Sequence, residues 1–363
     1  MKGISRRRFV KTVAVLGAAA SGLPTLFVPK ARAAWARKTV VHPQVDNLRV
    51  VSVTDPAMTR PDNPGIPWER QEALVDTKAV WENLDRLACG LTGSGNEEEA
   101  WRTIFVKPPR KSWSDAVVAV KTNNIYYQHT RSAVMSRVCR ALSDILGVKG
   151  SNIHIYDACH GRSMDRETPF KGLPEGARIQ NNWGGSTTIT PIPEPWHGGT
   201  DESSCLRHLV DGSVDILVNI SMCKGHTSNF GGFTMTLKNH FGTFDPHPGH
   251  QAEAEDYLLA INQTPEVLGA MDKKTGKVLY PRQQLCIVDA LWSSKSGPWG
   301  NPSDQTNFLA MGVFGPAVDH QVATRFRAER MKWGINPRMT RRMLTEFGYT
   351  EADLPEGGKL IEV

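Results

Sequence analysis

The sequence predicts an α/β fold, a mainly parallel sheet with helices on both faces, built from βαβ units and carrying long loop insertions. Three observations predict it. Short β-branched runs at 48–53, 116–121, 152–156, 214–220 and 284–289 have the length and composition of buried strands. Most are separated by segments of helical length, the alternation that produces parallel strands with crossover helices. Residues 116–157 read as one complete strand–helix–strand unit.

In chain order, residues 1–33 come first and are read as an address. Ser5, Arg6, Arg7, Arg8, Phe9, Val10 and Lys11 form a twin-arginine pattern. An Ala- and Gly-rich apolar stretch follows over 12–28, broken by Pro24, and Ala31, Arg32 and Ala33 make a small-x-small cleavage signature before Ala34. That stretch falls short of the roughly 20 apolar residues that cross a bilayer. The expectation is an exported, periplasmic protein that engages the twin-arginine export machinery and keeps no stable membrane span after cleavage. The seven basic residues of 1–33 have no acid beside them, so removing them takes the formal charge from +6 to −1. The apparent basicity therefore gives no reason to expect nucleic acid as a partner.

Residues 34–363 are expected to form a single elaborated α/β domain with a core at about 115–325 and a helical insertion at 62–113. Within the insertion a helix is expected near 68–87, with a Gly/Ser turn at 90–95. The strand 116–121 ends in a polar turn, 122–129. A helix at 132–146 then places Ala133, Val134, Val138, Ala141, Leu142 and Ile145 at helical spacing, and Gly147 closes it. The next strand delivers Asp157. Residues 161–203, dense in Pro, Gly, Asn and Trp, read as a long functional loop. Trp183, Trp196, Trp292 and Trp299 suit either a cleft lining or the core.

In such folds ligands sit beyond the carboxyl ends of the strands, so the residues there carry the functional expectation. The densest polar cluster follows 214–220: Lys224, Gly225 and His226, then Thr234, Lys238 and Asn239 on an expected helix, with Thr234 and Lys238 sharing a face. With His160 these supply the candidate catalytic set, Lys224, His226, Lys238 and His160. Lys121, Asn123, His129, Thr130, Arg131, Asp157, Thr234, Asn239 and Asp289 are the candidate ligand-binding set. Cationic and imidazole groups meeting in one cleft suit a small anionic molecule, and a desolvated lysine there can serve as a base. His240, Asp245, His247 and His250 suit either a divalent metal or a solvated polar loop.

The pattern Lys224-x-His226, then Thr234-x-x-x-Lys238-Asn239-x-x-Gly242, resembles the domain-of-unknown-function family numbered 362. The resemblance extends to Val120, Lys121 and Asn123 upstream and to Asp289, Gly297, Pro298, Gly300 and Asp319 downstream, covering roughly 115–325. Thr122 stands where the family usually has proline, and the ferredoxin-like cysteine clusters of some members are missing. The resemblance implies a fold and an export-prone context and supplies no reaction. His129-Thr130-Arg131 and the later Asp157 and His160 are similar to the nickel-pincer lactate racemase superfamily, which implies that the first three bind a nucleotide-derived cofactor. Gln128 replaces the acid usual before that triplet.

Cys89, Cys139, Cys159, Cys205, Cys223 and Cys286 include no C-x-x-C pair, so no iron–sulfur cluster is expected, while one or two disulfides fit an oxidising compartment. No G-x-S-x-G, P-loop or G-x-G-x-x-G motif follows a strand, which disfavours serine hydrolases, P-loop nucleotidases and simple dinucleotide dehydrogenases. Two functions remain: an exported enzyme acting on a small anion, or a non-catalytic maturation or binding protein for an exported redox or metalloenzyme system.

Overall fold

Apolar, β-branched runs form the strands at the centre of the molecule, and their alternating side chains explain the two cores on either side. The structure, a computed structural model, describes residues 38–125, 128–157, 170–181, 186–193, 202–251, 254–272, 274–298 and 301–363. The expected leader lies outside these residues, as do Cys159, His160, Trp183, Trp196, Trp299 and Gly300.

The described strands are β1 (Val51–Thr54), β2 (Val118–Lys121), β3 (Asn124–Ile125), β4 (Gln128–His129), β5 (Ile153–Asp157), β6 (Arg178–Asn181) and β7 (Thr187–Pro191). They continue with β8 (Glu202–Leu206), β9 (Ile216–Met222), β10 (Lys224–Gly225), β11 (Phe233–Thr234), β12 (Gln283–Ser293), β13 (Asp304–Gly312) and β14 (Ile361–Glu362). Eight build the main sheet in the order β14-β1-β13-β12-β9-β2-β5-β6. From β12 to β6 every pairing is parallel, whereas β13 runs antiparallel to both β12 and β1. The sheet is thus mainly parallel with an antiparallel flank, an α/β architecture.

Successive residues of a strand point to opposite faces. Val118, Val120, Ile155, Val218 and Ile287 pack with Leu84, Leu87, Trp101, Val134 and Val138 of the helices Thr77–Thr92, Glu97–Ile104 and Ser132–Arg140. Ala119, Leu217, Val288 and Ala310 face the other way, against Leu258, Ala317 and Met339 of Ala254–Ile261, Gly315–Gln321 and Pro337–Thr345. Helices therefore cover both faces, leaving the strand ends as the exits for polar chemistry.

Several local expectations differ from what is observed. The helix expected at 68–87 is two, Trp68–Leu74 and Thr77–Thr92, because Asp76 leaves the helical region and caps the second by accepting from Ala79 N at 2.9 Å. The second runs through Gly90 and ends at Gly93, whose φ of 75° suits glycine. The helix at 132–146 is α-helical to Arg140 and widens into π-type turns over Ala141–Ile145. Strand β13 was not expected, since its first four residues, Asp304 to Asn307, are polar and half-buried. Part of the long loop 161–203 contributes β6 and the first strand of the β7–β8 hairpin. Cys89, Cys139, Cys205, Cys223 and Cys286 are free thiols.

Candidate functional site

Strands β2 and β5 end side by side on Lys121 and Asp157, and β9 is followed at once by Lys224. The parallel register that aligns these strands brings residues from distant stretches of chain to one edge. Lys121, 1 % exposed, donates to Asp157 Oδ1 at 2.6 Å, to Thr122 O at 2.5 Å and to Asn239 Oδ1 at 3.1 Å. Asp157 Oδ2 accepts from Asn124 N at 2.9 Å. Asn239 also accepts from Asn123 Nδ2 at 3.1 Å, and its own amide donates to Asn219 Oδ1 at 2.8 Å and Ile220 O at 3.2 Å. Thr130 closes the ring, its N–H donating to Asn123 O at 3.1 Å.

Thr234 is placed differently from the expected helix position. Gly231 and Gly232 take φ of 90° and 86°, a reversal that residues with a Cβ rarely adopt, and β11 folds back antiparallel to β10 with Thr234 opposite Lys224. The helix begins only at Thr236 and runs to Asn239. Thr234 therefore faces the site from a strand, and Lys238 and Asn239 from a helix. Gly225 provides the close approach expected of it, since a Cβ there would collide with the Lys295–Ser296 backbone.

Lys224 and Lys238 form the second half of the cluster. Lys224 is fully buried, and its ammonium donates to Gln128 O at 3.2 Å. Burial brings its pKa down to about 7; nearby Lys121 and Arg131 add to the fall and Asp157 opposes it. Lys238 rests on aromatic faces, 3.6 Å from the Phe241 centroid and 4.5 Å from that of Phe230. Burial and then the charges of Lys224 and Lys121 push it well below the ordinary lysine value. Among the described residues no carboxylate forms an ion pair with either lysine. Among the described residues, Thr234 Oγ1, on the strand opposite Lys224, and Asn123 Oδ1, whose amide Asn239 links to Lys121, are buried without a hydrogen-bond partner.

His226, half-buried, packs edge-on against Phe230 at 4.7 Å. Burial lowers its pKa to about 3, helped by Lys238, His250 and Lys224, so its imidazole is neutral at ordinary pH. Arg131 is fully buried, its N–H donating to Asp289 Oδ2 at 2.7 Å and its guanidinium lying 4.9 Å over Trp292. Among the described residues its Nε and Nη2 lack partners. Glu72 accepts from Ser132 N at 3.0 Å and senses both Arg131 and Asp289. Burial raises the Glu72 and Asp289 carboxyls. His129 packs 5.8 Å from Trp68, whose indole donates to Thr130 O at 3.3 Å. The structure thus brings Lys121, Asn123, Thr130, Asp157, Lys224, Thr234, Lys238 and Asn239 around one edge, with Arg131, His129 and Asp289 adjoining and His226 at the rim.

The four metal candidates are employed separately. His240 is fully buried, Nε2 meeting Gln283 Oε1 at 2.7 Å and Nδ1 meeting Thr243 Oγ1 at 3.1 Å, the pattern of a neutral structural imidazole. Burial takes its pKa to about 3. Asp245 accepts from His247 N at 2.9 Å, His247 Nε2 meets Gln251 at 2.8 Å, and His250 Nδ1 meets Pro246 O at 2.7 Å. Among the described residues no group of three or more His, Cys, Asp or Glu is arranged to hold a metal ion. A separate surface depression lined by Gln44, Asn96, Glu98 and Arg102 contains no buried ionisable group.

Sequence reasoning missed two supports and gave a third, Asp319, no role. Asn219 is a lone amide in the apolar strand β9, a signal that was available, and it links Asn239 to Thr236 O and Gln283. Phe230 and Phe241 form the aromatic seat of Lys238. Asp319, on the helix Gly315–Gln321, accepts from Thr236 N at 2.8 Å, Thr236 Oγ1 at 2.5 Å and Leu237 N at 2.9 Å. It caps the short helix that carries Lys238 and Asn239, which has no cap of its own.

A family model described as Domain of unknown function (DUF362) matches residues 118–324, more than half of the chain. The match spans every lysine of the cluster. No curated protein and no solved structure matches the chain.

Proposed function

We propose that this chain, which belongs to the DUF362 family, binds a small anion, a carboxylate or a phosphate, between Lys224, Lys238 and Thr234 at the carboxyl edge of its sheet. One observation carries the reading: among the described residues two buried lysines stand together with no carboxylate in ion-pair contact with either, beside a buried hydroxyl that lacks a partner there. Uncompensated buried charge is costly, and an arriving anion removes the cost. Lys121 is already committed to Asp157, so it shapes the site while Lys224 and Lys238 supply the attraction.

A titration of purified protein with inorganic phosphate and with succinate, followed by calorimetry, tests this. Binding that is lost in Lys238→Met, with an unchanged far-ultraviolet spectrum, is the expected result. Retained affinity in both Lys224→Met and Lys238→Met would refute it. The pKa of Lys224, about 7, also supports a base that accepts a proton from the bound molecule, since a base works best near the operating pH.

Export completes the proposal. Arg6 and Arg7 ahead of an apolar stretch, and the Ala31-x-Ala33 signature, support transport by the twin-arginine route and a periplasmic site of action. An N-terminus at Ala34 in the isolated protein, and cytoplasmic retention of an Arg6→Lys, Arg7→Lys double variant, are the expected outcomes.

A further inference from the structure

The orientation of Asn123 follows from charge. The Lys121 ammonium can only donate, so the Asn239 atom it meets at 3.1 Å is the oxygen. That same oxygen faces Asn123 at 3.1 Å, so Asn123 meets it with its NH2 group. The remaining Asn239 contacts agree, its nitrogen donating to Asn219 Oδ1 and Ile220 O. Asn123 Oδ1 is therefore an acceptor. It belongs to a side chain only 3 % exposed and has no partner among the described residues. The Asn123 backbone is held by Thr130, through Thr130 N to Asn123 O at 3.1 Å and Asn123 N to Thr130 Oγ1 at 3.3 Å.

A fully ionised carboxylate or phosphate ester group offers only acceptor atoms and cannot satisfy this oxygen. A ligand that carries a donor can. The donor is a hydroxyl and not an ammonium, because Asp157 is already paired with Lys121, and a further cation would be repelled by lysines that take up charge beside the bound anion. Thr234 Oγ1, buried and also without a partner among the described residues, can both donate and accept, so it fits the anionic oxygen or the hydroxyl.

We infer that the ligand is a hydroxylated anion, a hydroxy acid or a phosphate ester of a polyol, whose hydroxyl donates to Asn123 Oδ1 while its charge meets Lys224 and Lys238. The inference rests on the reading of this edge as an anion site and adds a requirement to it. Sites built to pair a ligand hydroxyl discriminate strongly against the analogue lacking it, because the buried partner is then left unpaired.

Calorimetry on the purified protein with two matched pairs, malate against succinate and glycerol 3-phosphate against propyl phosphate, tests it. The expected result is at least about tenfold tighter binding of the hydroxylated member in one pair, and that pair tells carboxylate from phosphate. In Asn123→Ala the ratio is expected to fall below about threefold. If that variant does not fold, the ratio in the unaltered protein decides alone. Equal binding within both pairs would overturn the hydroxyl requirement and leave the anion reading intact. Failure of all four to bind would overturn both.

Discussion

Lys121 and Lys238 are buried ammonium groups at the same sheet edge, joined through Asn239 and its neighbour in the chain, yet their surroundings are opposite. Around Lys121 an aspartate, a carbonyl and an amide oxygen satisfy the charge. Around Lys238 there are two aromatic rings and a second lysine. The first arrangement is what a folded chain does to stabilise itself, and the second is what the proposed anion site calls for. Two ammonium groups repelling one another in a low dielectric gain nothing for the free protein.

The contrast is broken most severely at Asp157. Asp157→Asn leaves Lys121 buried without its counter-charge and is expected to destabilise the fold by about 3–5 kcal/mol, read from urea unfolding. Lys224→Met is expected to act in the opposite direction, raising the stability of the free protein by about 1–4 kcal/mol at pH 6. The sign follows from linkage. The folded pKa of Lys224, about 7, lies below the unfolded value of 10.5, so between them the unfolded chain binds more protons and stability rises with pH. The native protein therefore loses stability as pH falls from 10.5 through 7, and the benefit of Lys224→Met shrinks toward alkaline pH. Equal effects at pH 6 and pH 10 would count against a strained ammonium.

A smaller effect sharpens the comparison from outside the cluster. Burial raises the Asp319 carboxyl to about 7, against the three donors that hold it down. Its folded pKa exceeds its unfolded value, so its contribution is full below pH 3.8 and is lost as pH rises toward 7. Asp319→Asn removes an acceptor from the Thr236–Leu237 cap and is expected to cost about 1 kcal/mol. Because the cap positions Lys238 and Asn239, anion affinity is expected to fall as well. Asp319→Glu, which keeps the carboxylate, is expected to recover part of that affinity. Affinity unchanged in Asp319→Asn would show that the cap supports the fold alone.

The meeting of Lys121, Asp157 and Lys224 was legible in the sequence because it depends on topology: each stands at or just beyond the end of a parallel strand. Asn239 and Lys238 were legible from their spacing. What was not legible depends on turns and partners. Thr234 reads as helical from its i, i+4 relation to Lys238, and only the positive φ angles of Gly231 and Gly232 turn it onto a strand. Strand β13 hides because half of it is polar, and His240, a plausible metal ligand by type, is absorbed by Gln283 and Thr243. Charge pairing is a property of the folded edge, so nothing in the order of residues distinguishes the neutralised Lys121 from the unneutralised Lys238.

The most direct test of that difference is proton uptake on binding. Calorimetry at pH 8 in two buffers of different ionisation heat measures the protons taken up as the anion binds. Lys224, mostly uncharged at pH 8 in the free protein, should recharge beside the anion, so uptake approaching one proton per bound anion is the predicted result, with affinity falling as pH rises above about 7. Binding with no proton uptake, and an affinity constant from pH 6 to pH 9, would contradict it.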